Sequence, residues 1–226
     1  MTEMQILERI YPSVVTFLGN WRQMIKDVKR LKLMTISLFL TGVAINDRKK
    51  IYQLLEETSV KTIPHIHARH DMKEWELDYL VSRFKTKVIT IHYQHLKNFK
   101  NSKHLKKIFI ENNDHKSRIR NFETLKKCGG VCIDLSHFQY YKNIGSKQYE
   151  ISRQLVASFK VGCNHLSAIL PNGFSHHCAA DATQLDYVAM IPRKYFSRYI
   201  NIELANPIRE QLKFRKHLAK LLAKAW

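Results

Sequence analysis

Four short apolar runs in this chain each stop on a side chain that can hold a metal. Ile108-Phe109-Ile110 runs into Glu111, Val131-Cys132-Ile133 into Asp134, Gly162-Cys163-Asn164 into His165, and Ile200-Asn201-Ile202 into Glu203. A single ending of this kind is more often a helix cap or an ion-pair partner. Four of them suggest strands whose tips converge on one site. Three carboxylates brought together repel unless a cation or protons sit among them. Oxygen ligands with one imidazole suit Mn, Mg, Co or Zn. A second set is rich in histidine. His65 and His67 lie two apart and so share one face of a strand, while His92 ends the run that starts at Lys87. His137 follows Asp134 by three residues, and His176 and His177 stand in the loop after the His165 run. These imidazoles lean the choice toward Zn or Mn. His70, His95, His104, His115 and His217 read as surface or helix residues.

Residues of this kind need strands to carry them, and eight segments read as strands. They are Met34 to Leu40, Thr62 to His67, Lys87 to His92, Lys107 to Glu111, Gly130 to Asp134, Phe159 to His165, Leu185 to Met190 and Tyr199 to Glu203. Pro64 is a blemish in the second, because it lacks a donor. Helical patterns lie between them. Thr2 to Arg30 reads as helical, with Trp21, Met24, Ile25, Val28 and Leu31 at helix spacing. Asp47 can cap a helix to about Glu57; others cover Glu74 to Phe84, a basic stretch near Ser102, and Lys116 to Lys126. A long loop follows Asp134, then come helices over Tyr149 to Ser158 and Pro207 to Ala225. The last helix can pack on the barrel or on a second subunit.

Strands alternating with helices argue for a parallel sheet with right-handed crossovers. Eight units in 226 residues fit a closed, compact (β/α)8 TIM barrel with short loops. The expected organisation is one domain over 1–226, with an N-terminal helical segment at 1–31 and the barrel and C-terminal helix at 32–226. A doubly wound open sheet is the alternative, but no Gly-x-Gly-x-x-Gly follows any strand. In a parallel barrel the active site sits at the C-terminal strand ends. Side-chain alternation puts Phe109 with Glu111, Cys132 with Asp134, Cys163 with His165 and Asn201 with Glu203 on the mouth-facing side.

The net charge of +19 is unusual and fits a polyanionic partner such as nucleic acid, or a phosphorylated substrate. Lysine is nevertheless spread along the chain, as on an ordinary solvated surface. No apolar run reaches the roughly 20 residues that span a bilayer, and the N-terminus lacks a signal-peptide pattern. Four cysteines without a Cys-x-x-Cys pair fit a reducing compartment. The expected setting is the cytoplasm, with no membrane partner; the oligomeric state stays open.

The order Ile110-Glu111-Asn112, Asp134-Leu135-Ser136-His137, His165-Leu166 and Glu203-Leu204-Ala205-Asn206-Pro207 resembles the xylose isomerase-like TIM-barrel superfamily. That superfamily contains sugar isomerases and epimerases and the endonuclease IV enzymes. The expected function is that of an isomerase or epimerase, with the endonuclease IV pattern as the runner-up. On the isomerase pattern, the resemblance makes Glu111, Asp134, His165 and Glu203 ligands of one divalent ion. Glu111 and Glu203 are then the acid/base pair, passing a proton through a metal-stabilised enediolate on a sugar or sugar phosphate. His137 binds a substrate oxygen, and Arg69 or Arg193 holds a phosphate. On the endonuclease IV pattern, His65 or His67 and His92 share Glu111, and His137 and His177 hold a further ion for cleavage at abasic DNA. Ser175 stands where that pattern has an aspartate. A barrel that kept its scaffold without catalysis is a third expectation, and the four strand-tip ligands argue against it.

Overall fold

The computed structural model describes residues 1–18, 20–112, 119 and 121–226. Chain order is α1 (Glu3–Leu7), β1 (Ile10–Tyr11), β2 (Ser13–Val15), α2 (Trp21–Arg30), β3 (Ser37–Phe39) and α3 (Ile45–Glu56). There follow β4 (His65–His67), α4 (Glu74–Arg83), β5 (Val88–Ile91), α5 (Leu96–Phe99), β6 (Ile108–Glu111), β7 (Gly130–Asp134), α6 (Leu135–Asn143) and α7 (Lys147–Ser158). The rest is β8 (Val161–Leu166), a hairpin of β9 (Ala168–Ile169) and β10 (Ser175–His176), then β11 (Ile200–Ile202) and α8 (Ile208–Ala225).

Every pairing in the main sheet is parallel, in the order β1-β11-β8-β7-β6-β5-β4-β3-β2. β1 and β2 are two halves of one strand parted by Pro12, whose missing N–H breaks the ladder. The first half pairs with β11 and the second with β3, so the ring closes into a TIM barrel. Gln211 of α8 spans the break: its Oε1 accepts from Ser13 N at 2.8 Å, and its Nε2 donates to Ser13 O at 3.1 Å and Leu204 O at 2.9 Å. Branched aliphatics such as Ile66, Ile89, Ile110, Val131 and Ile133 are fully buried between the barrel and its outer layer. Trp226 packs back on the barrel, edge-on to Phe196 with ring centroids 4.8 Å apart.

Several expectations need correction. The stretch from Thr2 to Arg30 is not one helix, because Ile10 to Val15 is the first barrel strand. The division into a helical 1–31 and a barrel from 32 therefore fails. Helix spacing after Asn20 is real, but upstream of it the β-branched and aromatic run around Pro12 favours extended backbone. Leu185 to Met190 is not a strand. It lies in a 3-10 helix, Ala182–Met190, whose Leu185, Tyr187 and Val188 are buried. The count of eight holds because the N-terminal strand replaces it. The loop expected after Asp134 is instead α6, and Ala44, not Asp47, stands at the N-cap of α3. The basic helix near Ser102 is a set of short turns around α5. The helix expected at 116–126 lies partly outside the described residues; within them Glu123–Lys127 is a 3-10 helix.

A buried ion pair ties α3 to α4. Arg48 donates from Nε to Glu76 Oε2 at 2.7 Å and from Nη2 to Oε1 at 3.0 Å, and Tyr52 donates to the same carboxylate at 2.9 Å. Arg48 and Glu76 are both fully buried. Arg48→Ala strands a buried carboxylate, which costs roughly 3–5 kcal/mol. At this chain length that lowers the melting temperature by roughly 10 °C. An unchanged thermal transition would show that the pair carries no stability.

Candidate metal centre

The strand tips do converge. Glu111 ends β6, Asp134 ends β7, His165 stands on β8, Glu203 follows β11, and His67 ends β4. His92 follows β5, His137 sits in the first turn of α6, and His177 follows β10. A cavity of about 430 Å³ opens over them, lined by Glu111, Asp134, Glu203, His67, His92, His137 and His177. His165 is fully buried beneath it.

Oε2 of Glu111 is the meeting point. His67 Nε2 lies 2.9 Å from it, His165 Nδ1 3.5 Å and His92 Nε2 3.6 Å. On the other side, His165 Nδ1 lies 3.4 Å from Glu203 Oε2, and His137 Nδ1 lies 3.6 Å from Asp134 Oδ2. The other oxygen of Asp134 caps α6, accepting from Ser136 Oγ at 2.6 Å and from His137 N at 2.8 Å. Asp134 Oδ2, His165 Nδ1 and Glu203 Oε2 are buried and make no hydrogen bond among the described residues. Buried polar atoms are nearly always partnered. These three belong to residues whose ligand atoms lie within 4.8 Å of one another, as do those of His67, Glu111 and His165, and of Glu111, Asp134 and His137. The donor set and its unpartnered atoms fit a divalent cation.

Electrostatics agree with that fit. Burial, together with the charges of Glu111 and Asp134, pushes the Glu203 carboxyl well above the usual range. Burial acts on Glu111 too, but the imidazoles of His165 and His92 and the bond from His67 outweigh it and hold its carboxyl well below that range. Burial lowers His67 to about 4 against the pull of Glu111, and lowers His177 as well.

His165 reaches the mouth through an irregularity. Val131 of β7 pairs with Val161 of β8, but the next residue, Cys132, pairs with Cys163. Gly162 is the extra residue of a β-bulge. Were Gly162 paired in regular alternation, with no bulge, Cys163 and His165 would turn outward, since a slip of one residue exchanges the faces. A Cβ at Gly162 would collide with the Phe109 ring. Gly162→Ala should therefore cost about 1–3 kcal/mol through overpacking. It should also weaken metal uptake by displacing His165. Unchanged melting and unchanged uptake would show that the bulge tolerates a side chain.

The remaining candidates separate. His65 shares the inward face of β4 with His67 but lies deeper and does not line the cavity. Arg69 is on the rim, with Nε 3.6 Å from Asp71. Arg193 is not at the mouth: its guanidinium lies 5.7 Å from the Trp226 ring centroid, beside Arg9, which binds Ser197 O ahead of β11. Ser175 pairs in the β9–β10 hairpin and is not on the cavity wall. His70 and His95, set aside in the sequence, do line the wall, with their rings stacked 4.9 Å apart. Each follows a site histidine by three residues, His67 and His92, and that spacing was the available signal. His115 lies outside the described residues, while His104 and His217 pair with Asp78 at 2.7 Å and Asp186 at 2.6 Å. Phe17 and Thr41 also line the cavity. Phe17 follows the N-terminal strand that sequence periodicity hid.

No protein-family model matches the chain, and no curated protein matches it by sequence. Among solved structures it is similar to an uncharacterized protein from Parabacteroides distasonis ATCC 8503, at 12% identity and a TM-score of 0.50, with 96% of this chain and 100% of that chain covered. It is also similar to N-(5'-phosphoribosyl)anthranilate isomerase from Pyrococcus furiosus, at 9% identity and a TM-score of 0.40, with 92% of this chain and 98% of that chain covered. The first likeness is one of fold alone, and the second carries no argument. Among the described residues, no helix is long and apolar enough to cross a membrane.

Proposed function

We propose that this chain is a divalent-metal phosphodiesterase of the cytoplasm that acts on nucleic acid, on an endonuclease IV-like plan within the xylose isomerase-like superfamily. The observation that carries this reading is the ring of imidazoles around Glu111 Oε2, with His67 at 2.9 Å, His165 at 3.5 Å and His92 at 3.6 Å. One ion takes four to six ligands. The carboxylates and imidazoles at this mouth exceed that and fall into overlapping groups joined at Glu111, Asp134 and His165. Such an arrangement suits two ions, Zn or Mn, and Glu111, which belongs to two of the groups, would be among the residues that hold them. Bound there, divalent ions supply Lewis-acid polarisation of a phosphoryl oxygen and acidify water.

The chain's own residues bear the rest. Glu111, hemmed by imidazoles and held well below the carboxylate range, is a poor proton acceptor and a good ligand. Arg69 on the rim is placed to take a phosphate, and the net charge of +19 draws a polyanion. One observation favours a second reading, a sugar or sugar-phosphate isomerase or epimerase. Glu111 and Glu203 are pushed to opposite sides of the carboxylate range, as an acid/base pair requires. That reading needs only one ion, Co, Mg or Mn as well as Zn.

Elemental analysis of the purified chain, paired with two assays, separates these. Two or more metals per chain, with chelator-sensitive nicking of a duplex at an abasic site, supports the phosphodiesterase. One metal per chain, no nicking and turnover of a sugar phosphate would replace it with the isomerase. No metal after reconstitution would leave a non-catalytic barrel.

A further inference from the structure

Beneath the candidate ligands runs a chain of buried polar contacts that ends on His165. His65 Nε2 lies 3.1 Å from His165 Nε2 and 2.9 Å from Thr90 Oγ1, and Thr90 Oγ1 lies 3.2 Å from Cys163 Sγ. All four residues are fully buried. Phe39 packs on both imidazoles, with ring centroids 5.2 Å from His65 and 4.9 Å from His165. The two rings therefore have little freedom to turn.

The proton on His165 matters for what its other nitrogen can do. Nδ1 faces Glu203 Oε2 at 3.4 Å and Glu111 Oε2 at 3.5 Å and makes no hydrogen bond among the described residues. An imidazole that offers a bare Nδ1 to a cation carries its proton on Nε2. A buried N–H without an acceptor is costly. The acceptor within reach of this one is Nε2 of His65. Outer partners of this kind fix the tautomer and the angle of a ligating histidine.

We propose that His65 is a positioning residue and not a metal ligand. It accepts the Nε2–H of His165 and so holds the ring with a bare Nδ1 toward Glu111 and Glu203. The proton of His65 is then on its Nδ1, which has no partner among the described residues, so the arrangement moves the unpaired N–H from His165 to His65 and leaves the nitrogen that faces the carboxylates bare. The Thr90 hydroxyl, 2.9 Å from the same Nε2 of His65 and 3.2 Å from Cys163 Sγ, shares that single acceptor with the Nε2–H of His165. The reverse assignment puts the proton of His165 on Nδ1, between two carboxylates, and closes the position to a cation. His65, Cys163 and His165 also bring ligand atoms within 4.8 Å of one another, so a deep ion held by all three is the competing account. The contacts through Thr90 occupy those atoms without an ion. This inference rests on the metal-centre reading.

Zinc titration of the full chain, with imidazole nitrogen NMR of the zinc-loaded protein, tests it. His65→Leu removes the acceptor, and His65→Gln replaces it with a side-chain oxygen. The expected result is the same zinc count at saturation in all three proteins. Affinity falls about 10- to 100-fold in the Leu variant and largely recovers in the Gln variant. His165 of the zinc-loaded wild type carries its proton on Nε2, a readout that needs no variant should His65→Leu fail to fold. Loss of one zinc equivalent in either variant would make His65 a ligand and overturn the proposal. So would equal weakening in both variants, unchanged affinity in the Leu variant, or a His165 proton on Nδ1. Failure of the wild type to bind zinc would sink the metal-centre reading itself, and this inference with it.

Discussion

Glu203→Gln is expected to melt at a higher temperature than wild type when both are free of metal, and to lose the metal position that Asp134, His165 and Glu203 frame. Glu203 is buried, its Oε2 makes no hydrogen bond among the described residues, and Glu111 and Asp134 stand beside it. Its carboxyl titrates well above the usual range in the folded chain and within that range when unfolded. Between those two values the folded state binds the proton more tightly. Metal-free wild type therefore loses stability as pH rises through that window. An amide has no charge to desolvate, and it can donate to Asp134 Oδ2, which also makes no hydrogen bond among the described residues. Relief of an unsatisfied buried group is worth about 1–3 kcal/mol, and each kcal/mol moves the transition by about 2–4 °C at this chain length. Thermal melts across pH in a chelator, repeated with zinc, read both halves. A lower melting temperature in metal-free Glu203→Gln would mean that the carboxylate is already satisfied, and the case for a cation there would weaken.

What could be read from the sequence divides along physical lines. Glu111, Asp134 and Glu203 were legible because short apolar runs end on them and alternation assigns their face. The same alternation places Ile110, Ile133 and Ile202 outward, where they are fully buried. His165 was assigned inward for an incomplete reason. Plain alternation along β8 would also serve the opposite face, and pairing with β7 across the Gly162 bulge and with Asn201 of β11 decides it. A bulge is a relation between two strands, so it has no signature in one. The first barrel strand was hidden because Pro12 cuts it into pieces of two and three residues, too short for periodicity. The run from Leu185 to Met190 failed in the other direction. It is apolar enough for a strand, but its buried face is taken up by packing of that 3-10 helix against β9 and α8. His70 and His95 reached the cavity wall because the segments after β4 and β5 stay short.

Glu111→Gln should lose metal as Glu203→Gln does, yet shift metal-free stability the opposite way. Glu111 is held well below the carboxylate range: burial opposes this, but His165, His92 and His67 prevail. Its stabilising contribution is thus present above the unfolded pKa and is lost as pH falls through the folded one. Replacing the carboxylate removes a charged acceptor from His67, worth about 1.5–3 kcal/mol, so metal-free Glu111→Gln should melt lower than wild type near neutral pH. Its metal affinity should fall at least about 100-fold, more than loss of an outer partner produces, because Glu111 belongs to two of the overlapping groups. His92→Gln supplies the contrast. His92 is half-buried at the edge, with its Nε2 3.6 Å from Glu111 Oε2 and its ring 5.0 Å from that of His67. That variant should lose no more than one equivalent and keep the ion among Asp134, His165 and Glu203. Metal counts of zero or near zero for Glu111→Gln and one for His92→Gln would establish a two-ion centre. A wild-type count of one that His92→Gln leaves untouched would leave Glu111 beside a single ion, and the isomerase reading would take precedence.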